Sequence, residues 1–257
     1  MKKIKISHFD ALSYAGQEAI NTLCTNLSFS GENVRIIMMT SSHASEGKSF
    51  LTMNIMRTLA KYGKRVALVD ADLRRSFIAS TFGLQFEDEE HKEGLAHLLA
   101  GMVEKDSVIY ETDIPGAYMV PIGREISNPL PLLNSSRFKE LLDDLAKNMD
   151  YVLVDAPPVG TVIDAAEIAK SCDGTLLVVS YNTVRRQELV DVKDQLLQTG
   201  CPIIGTVLNM VEFDNYISRK YYYKSYYSHY DRYQPDEDEV DQKKKKKKES
   251  RKKQNKA

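Results

Sequence analysis

Short apolar runs alternate along the chain with stretches of helical periodicity. The strand-like runs occupy 34–40, 65–69, 117–120, 151–154, 174–180 and 202–209. Helical spacing of apolar residues covers 50–60, 93–101, 128–145 and 185–199. Strands that alternate with helices predict an α/β fold, in which helices cover both faces of a mainly parallel sheet. We expect about seven or eight strands and no internal repeat.

Two outlying segments carry weaker patterns. Residues 9–30 have helical periodicity and predict a helix before the first core strand. Its apolar positions are Ala19, Ile20, Leu23 and Leu27. The pattern fits packing on its own sheet and packing on a neighbouring subunit equally well. Residues 84–92 are acidic and are expected to form a surface loop.

The first junction between a strand and a helix holds a phosphate-binding sequence. Residues 42–49, called the P-loop below, read Ser-His-Ala-Ser-Glu-Gly-Lys-Ser and precede a helical stretch that begins near Phe50. In such a loop, backbone N–H groups bind phosphate, Lys48 neutralises its charge and the Ser49 hydroxyl binds Mg²⁺. A strict P-loop has Gly where this chain has Ser42. The alternative is therefore a chance Gly-Lys-Ser at the start of an ordinary helix.

Two further strands end in carboxylates. The second strand-like run leads to Asp70 and Asp72, and the fourth leads to Asp155. Since parallel strands end at the same sheet edge, these side chains should lie beside the P-loop, where carboxylates can hold Mg²⁺ or accept a proton. The alternative for the first pair is a solvated cluster that opens a loop. Asp164 begins a helix and is expected to cap it or to close the sheet end rather than to act in catalysis.

Composition favours one sizeable intracellular domain. The chain has 257 residues, 42% of them hydrophobic, but no run approaches the roughly 20 apolar residues that span a bilayer. The basic N-terminus is not followed by an apolar signal segment. Cys24, Cys172 and Cys201 are too scattered for a disulfide framework or a zinc site. We therefore expect a cytoplasmic protein with reduced thiols.

The C-terminal part differs in composition from the rest. Ten Lys and Arg and one Glu lie in 243–257, which leaves 25 basic and 35 acidic residues elsewhere. Residues 216–233 hold eight of the fourteen tyrosines, and 221–233 contain none of the Leu, Val or Phe residues that would order them. We expect a domain over 1–215 and a flexible, disordered tail over 216–257; the alternative for the tyrosines is an aromatic packing stripe. The basic segment is either simply solvated or weakly attracted to an anionic membrane surface. No nucleic acid partner is expected.

These motifs resemble the bacterial tyrosine kinases of capsular and exopolysaccharide assembly, which share the P-loop NTPase fold. The family's Walker A loop resembles residues 40–49, although its usual Pro-Gly is replaced here by Ala44-Ser45. Its second motif, Asp-x-Asp-x-Arg after an apolar strand, is met by residues 70–74, and its Walker B strand ends here at Asp155. Residues 128–135 and the tyrosine cluster are also similar to the family.

The resemblance implies a protein-tyrosine kinase that uses ATP and Mg²⁺. The residues implied in catalysis are Lys48, Asp70, Asp72, Arg74 and Asp155. ATP would contact Ala44, Ser45, Glu46, Gly47, Lys48, Ser49 and Phe50, with Asn209 near the adenine. Mg²⁺ would be held by Ser49, Asp72 and Asp155. Asp70 is the candidate to accept the tyrosine proton, with its role and that of Asp72 open to exchange, and Arg74 could supply a nearby cation. The implied phosphate acceptors are Tyr221, Tyr222, Tyr223, Tyr226, Tyr227, Tyr230 and Tyr233.

The resemblance also implies partners. These are a membrane modulator protein that recruits and activates the kinase through its cytoplasmic tail, a cognate tyrosine phosphatase, and other copies of the chain. The family's first helix often carries Glu-x-x-Arg-x-x-Arg for ring assembly, but Asn21 and Cys24 replace both arginines here.

Two other functions stay open, a ParA- or MinD-like positioning ATPase and an inactive nucleotide-binding scaffold. The positioning ATPases place a signature Lys where this chain has His43.

Overall fold

The computed structural model describes residues 2–31, 33–88 and 92–211. The strands are β1 Lys2–Ile6, β2 Ile36–Ser41, β3 Val66–Asp70, β4 Leu84–Phe86, β5 Tyr110–Thr112, β6 Ala117–Val120, β7 Tyr151–Asp155, β8 Gly174–Ser180 and β9 Ile203–Asn209. The α-helices are α1 Tyr14–Ser28, α2 Lys48–Lys61, α3 Ile78–Thr81, α4 Leu95–Leu99, α5 Leu130–Leu133, α6 Ser136–Asn148, α7 Asp164–Ala169 and α8 Arg186–Gln198, and a 3₁₀ turn covers Lys105–Ser107. The predicted α/β class is confirmed.

One mixed sheet carries all of the described strands, in the order β4-β1-β5-β6-β3-β7-β2-β8-β9. The run from β6 to β9 is parallel throughout. Antiparallel pairs occur only between β1 and β4 and between β5 and β6 within the described part of the chain. The central strands β2, β3 and β7 are buried along their whole length, which explains their nearly continuous apolar sequences.

Helices pack on both faces of the sheet, as predicted. Alternate residues of β2 point to opposite faces, so Met38 joins one core cluster and Met39 joins the other. Apolar residues of α4, α6, α7 and α8 complete the first cluster. Those of α1 and α2 complete the second. The central strands that lead to the P-loop and to the acidic residues are thereby held between two core clusters.

The prediction of seven or eight strands is wrong, because the described residues contain nine. The strands without a predicted counterpart are β1, β4 and β5, which have five, three and three residues. In β1 only Ile4 and Ile6 are buried, between lysines that stay partly or fully exposed. The prediction of a surface loop over 84–92 is also wrong at its start, because Leu84–Phe86 form strand β4, which pairs with β1. Short strands toward one edge of a sheet need few apolar residues and give a weak pattern.

The N-terminal helix packs on its own domain. Ser13 caps α1, its Oγ accepting the N–H of Gly16 at 3.1 Å. Ile20, Cys24 and Leu27 are buried in the same core cluster as the side chains of α2. Packing on the chain's own core, one of the two open alternatives, is therefore present.

No helix in the described ranges is long and apolar enough to cross a bilayer. The domain boundary expected near residue 215, the tyrosine cluster and the basic segment all lie outside the described residues.

Candidate functional site

The P-loop connects β2 to α2 through two residues in left-handed conformations. Gly47 has φ 83° immediately before Lys48 begins α2. The conformation favours glycine, and a Cβ at this position would lie 2.2 Å from Nδ2 of Asn209 and displace that amide group. Ser45 has φ 65°, although it carries a Cβ. The backbone therefore makes the turn of a phosphate-binding loop with one residue that is poorly suited to it.

The conformation of Ser42 explains why the P-loop does not need the usual glycine at its first position. It is fully buried, and its φ is not among the positive values. A Cβ on Gly160 would lie 2.4 Å from the carbonyl oxygen of Ser42, so the close approach depends on a glycine in the segment after β7. The loop therefore needs no glycine conformation at residue 42.

The start of α2 presents a row of backbone donors. From Ala44 to Phe50, no N–H group has an acceptor within the part of the chain that the structure describes. The N–H groups in the first turn of a helix have no partner inside the helix, and the helix dipole places partial positive charge there. Such a row is suited to a phosphate group.

Glu46 and Asn209 anchor the loop to neighbouring strands. The buried Glu46 carboxylate accepts the N–H groups of His43 at 2.8 Å and Ser180 at 3.0 Å. Asn209, at the end of β9, donates from Nδ2 to the Glu46 carbonyl at 2.9 Å. The Glu46 side chain is thus engaged within the protein. The expected contact of Asn209 with adenine stays a prediction.

The acidic residues predicted from sequence meet at the carboxyl ends of adjacent strands. Asp70 of β3 is paired in register with Asp155 of β7. Ser49 donates from Oγ to Oδ2 of Asp155 at 2.5 Å. Nζ of Lys48 lies 3.5 Å from Oδ2 of Asp72. We call Asp70, Asp72 and Asp155 the acidic cluster, and it lies directly against the P-loop.

Burial makes this cluster electrostatically costly. Desolvation raises the pKa of each of the three carboxyls, and that of Asp70 lies well above its ordinary value. The neighbouring charge of Lys48 opposes this without overcoming it. Burial would lower the pKa of Lys48, but the carboxylates outweigh that effect and raise it. Three buried carboxylates facing one lysine favour an added cation, and Oδ1 of Asp70 has no hydrogen-bond partner among the described residues.

The donor set fits Mg²⁺ only together with a nucleotide. Nowhere in the described ranges do three His, Cys, Asp or Glu side chains stand in an arrangement that could hold a metal alone. The predicted set of Ser49, Asp72 and Asp155 offers hard oxygen donors, as Mg²⁺ prefers, and Mg²⁺ commonly completes its shell with phosphate oxygens and waters. These residues therefore fit a metal that arrives with ATP.

Arg74 forms hydrogen bonds with Asp164, which was expected only to cap a helix or to close the sheet end. It donates from Nε to Oδ2 of Asp164, from Nη2 to Oδ1 of Asp164 at 3.0 Å, and from Nη1 to the carbonyl of Ser127 at 3.0 Å. Asp164 is the first residue of α7, and the cap position belongs to Ile163, so the expectation that Asp164 caps the helix is wrong. Its carboxylate instead fixes the arginine.

Sequence reasoning missed two other contacts of the site. Ser76 donates from Oγ to Oδ2 of Asp70. Glu188 of α8 approaches His43 of the P-loop, with Oε2 and Nε2 3.3 Å apart. Neither pair shows a local sequence signal, because each depends on how a loop folds back over the sheet edge.

Comparison with known proteins places this geometry in a family. The AAA domain family matches residues 34–192. Tyrosine-protein kinase CpsD of Streptococcus pneumoniae serotype 4 is 34% identical over 196 residues, which cover 76% of this chain and 85% of that protein.

Solved structures agree with this relationship. The kinase domain of the Escherichia coli tyrosine kinase ETK superposes with a TM-score of 0.73 at 31% identity, over 78% of this chain and 77% of that one. The cell division ATPase MinD of Pyrococcus furiosus reaches a TM-score of 0.55 at 26% identity, over 68% and 71% of the two chains. The fold is thus shared with the positioning ATPases, but the likeness to the kinase is greater. This chain belongs to the bacterial tyrosine kinases.

Proposed function

We propose that this chain uses Mg-ATP to phosphorylate the tyrosine cluster of its own C-terminal segment in trans, and that this regulates capsule or exopolysaccharide synthesis and export. The observation that carries the proposal is the junction of the P-loop with the acidic cluster. Lys48 and Ser49 begin α2, Asp72 follows β3 and Asp155 ends β7. Lys48 contacts Asp72 and Ser49 contacts Asp155.

Phosphoryl transfer depends mainly on positioning and charge stabilisation. The row of N–H groups from Ala44 to Phe50 would hold the ATP phosphates, and Lys48 would neutralise charge on the β- and γ-phosphates. Ser49, Asp72 and Asp155 would hold Mg²⁺, which offsets the negative charge of the phosphates when bound. Lys48 already contacts Asp72, so its ammonium group is fixed beside the predicted phosphate position.

Asp70 is the candidate proton acceptor for the attacking tyrosine. A tyrosine hydroxyl has a pKa near 10, so it becomes a better nucleophile when a positioned carboxylate takes its proton. Burial raises the pKa of Asp70 well above its ordinary value, which makes the carboxylate a stronger base. Ser76 holds one of its oxygens and leaves the other without a partner among the described residues.

The acceptor tyrosines are proposed from composition and resemblance. Tyr221, Tyr222, Tyr223, Tyr226, Tyr227, Tyr230 and Tyr233 lie outside the described residues. Each phosphate would add about −1.5 to −2 charges. Repulsion between phosphorylated segments would then weaken contacts between copies of the chain and couple phosphorylation to assembly.

The proposed setting is the inner face of the cell membrane. A membrane modulator protein would recruit and activate the kinase through its cytoplasmic tail, and a cognate tyrosine phosphatase would reset it. The basic segment 243–257 could add a weak attraction for anionic lipid, worth about 1 kcal/mol per basic residue close to the surface.

The decisive experiment maps phosphotyrosine on the purified full chain with Mg-ATP and the modulator's cytoplasmic segment, beside Lys48→Met. We expect phosphate on tyrosines within 221–233 and none in the variant. ATP hydrolysis without phosphotyrosine would instead support the positioning ATPase. Nucleotide binding without hydrolysis or labelling would support an inactive scaffold.

A further inference from the structure

Arg74 and Asp164 form a bidentate ion pair. Both carboxylate oxygens of Asp164 accept hydrogen bonds from the guanidinium group, and the two residues lie 90 positions apart in sequence. The Asp164 side chain is 1% exposed and the Arg74 side chain is 36% exposed. A buried carboxylate is costly without a charged partner, so Asp164 strongly favours this one orientation of the arginine.

Arg74 has more N–H donors than its contacts within the described residues use. A guanidinium group has five N–H donors. Two of them contact Asp164 and one contacts the carbonyl of Ser127. The other two have no acceptor within the described residues, and they belong to the partly exposed member of the pair.

Arg74 is a close neighbour of the acidic cluster along the chain. Arg74 follows Asp72 by two residues. The hydrogen bond that Arg74 donates to Asp164 is the main cause of its raised pKa, and the charge of Asp72 contributes further. Asp72 in turn contacts Lys48 of the P-loop. The ion pair of Arg74 with Asp164 carries almost no net charge. It would therefore bind an anion through the orientation of its N–H groups rather than through net charge.

We propose that Asp164 is a positioning residue for phosphoryl transfer. It orients Arg74 so that the two remaining N–H groups face the phosphoryl group in transit to tyrosine. Arg74 is the catalytic residue of the pair and Asp164 acts through it. This inference rests on the proposed kinase function and assigns a role to a carboxylate that the sequence suggested only as a helix cap or a sheet-end residue.

A double-mutant cycle tests the inference on the full chain with Mg-ATP. The variants are Asp164→Asn, Arg74→Lys and the two combined, and the readouts are the rate of tyrosine labelling, the Kd for ATP and the melting temperature. Lysine keeps the charge of Arg74 but lacks the planar fork that Asp164 binds. We expect each single change to lower the labelling rate about 10- to 100-fold, the scale of a misplaced catalytic group. The double variant should lose no more than the worse single variant, with little change in the Kd for ATP.

Asp173→Asn is the matched control, because Asp173 is also a structural carboxylate. It accepts the N–H groups of Arg35 and Ile36 through Oδ2 at the opposite end of β2. This control should lower the melting temperature without changing the labelling rate of folded protein. Losses that add in the double variant, or a labelling rate of Asp164→Asn equal to that of wild type, would overturn the positioning role alone. A wild-type chain that labels no tyrosine would overturn the proposed function as well.

Discussion

At the scale of single residues, Ser45 carries conformational strain in the P-loop. Its φ of 65° suits glycine, and the family that the loop resembles has glycine there. A left-handed conformation costs a residue with a Cβ about 1–2 kcal/mol. Ser45→Gly removes this cost but gives the unfolded chain more freedom, worth about 0.4–1 kcal/mol. We expect the free energy of unfolding to rise by roughly 0.5–1 kcal/mol, measured by denaturant titration.

Ala44→Gly is the control for Ser45→Gly. Ala44 is exposed like its neighbour but does not have a positive φ. Glycine there only increases the freedom of the unfolded chain, so the free energy of unfolding should fall by about 0.4–1 kcal/mol. Equal losses in the two variants would show that Ser45 is not strained.

At the scale of elements, the sequence predicts the centre of the sheet better than one of its edges. Strands β2, β3, β7 and β8 are buried on both faces, so their apolar runs are continuous and easily recognised. The edge strand β4 is stabilised by pairing with β1 rather than by its own apolar content. Its three residues, Leu84–Phe86, give too short a pattern to separate it from a loop.

The P-loop depends on strands that are distant in sequence. The Glu46 carboxylate accepts the N–H of Ser180 at the end of β8 as well as that of His43. Glu46→Gln leaves one oxygen for two donors and turns an amide NH₂ toward an N–H group. We expect the free energy of unfolding to fall by about 1–3 kcal/mol, the cost of an unsatisfied buried group. The Kd for ATP should rise as the loop loosens, measured by calorimetric titration.

Glu188→Gln serves as the comparison. Glu188 also contacts His43, at 3.3 Å, but both side chains are well exposed. An exposed pair contributes little, so the free energy of unfolding should stay within about 0.5 kcal/mol of wild type. A comparable loss in both variants would assign the effect to His43 rather than to the anchoring of the P-loop.

At the scale of the whole molecule, the sequence indicates which motifs meet but not how their side chains pair. Lys48, Asp70, Asp72 and Asp155 all follow strands that the apolar pattern identifies, and parallel strands bring their ends to one edge. The pairs Arg74 with Asp164 and Ser76 with Asp70 depend instead on loop paths beyond that edge. Loop geometry is set by tertiary contacts, and no spacing rule encodes it.

The acidic cluster is expected to destabilise the whole fold at neutral pH in the absence of nucleotide and Mg²⁺. Burial raises the pKa of Asp70 above its value of about 3.9 in the unfolded chain. Between these two pKa values the native state binds more protons than the unfolded state, so the free energy of unfolding falls as pH rises. Asp70→Asn removes this charge. It should raise the free energy of unfolding at pH 7 by about 0.5–2 kcal/mol while abolishing tyrosine labelling.

The pH dependence separates this charge effect from a change in packing. Urea titrations from pH 4 to pH 8 in a chelator should show the gain of Asp70→Asn growing as pH rises above 4 and shrinking on acidification. Burial lowers the pKa of His97, so below about pH 6.5 this group reduces stability on acidification in both proteins and cancels in the difference. Asp113→Asn, which keeps an acceptor for the N–H of Ile6, should follow the wild-type profile. A gain independent of pH would mean that packing, rather than the buried charge, limits the stability of the site.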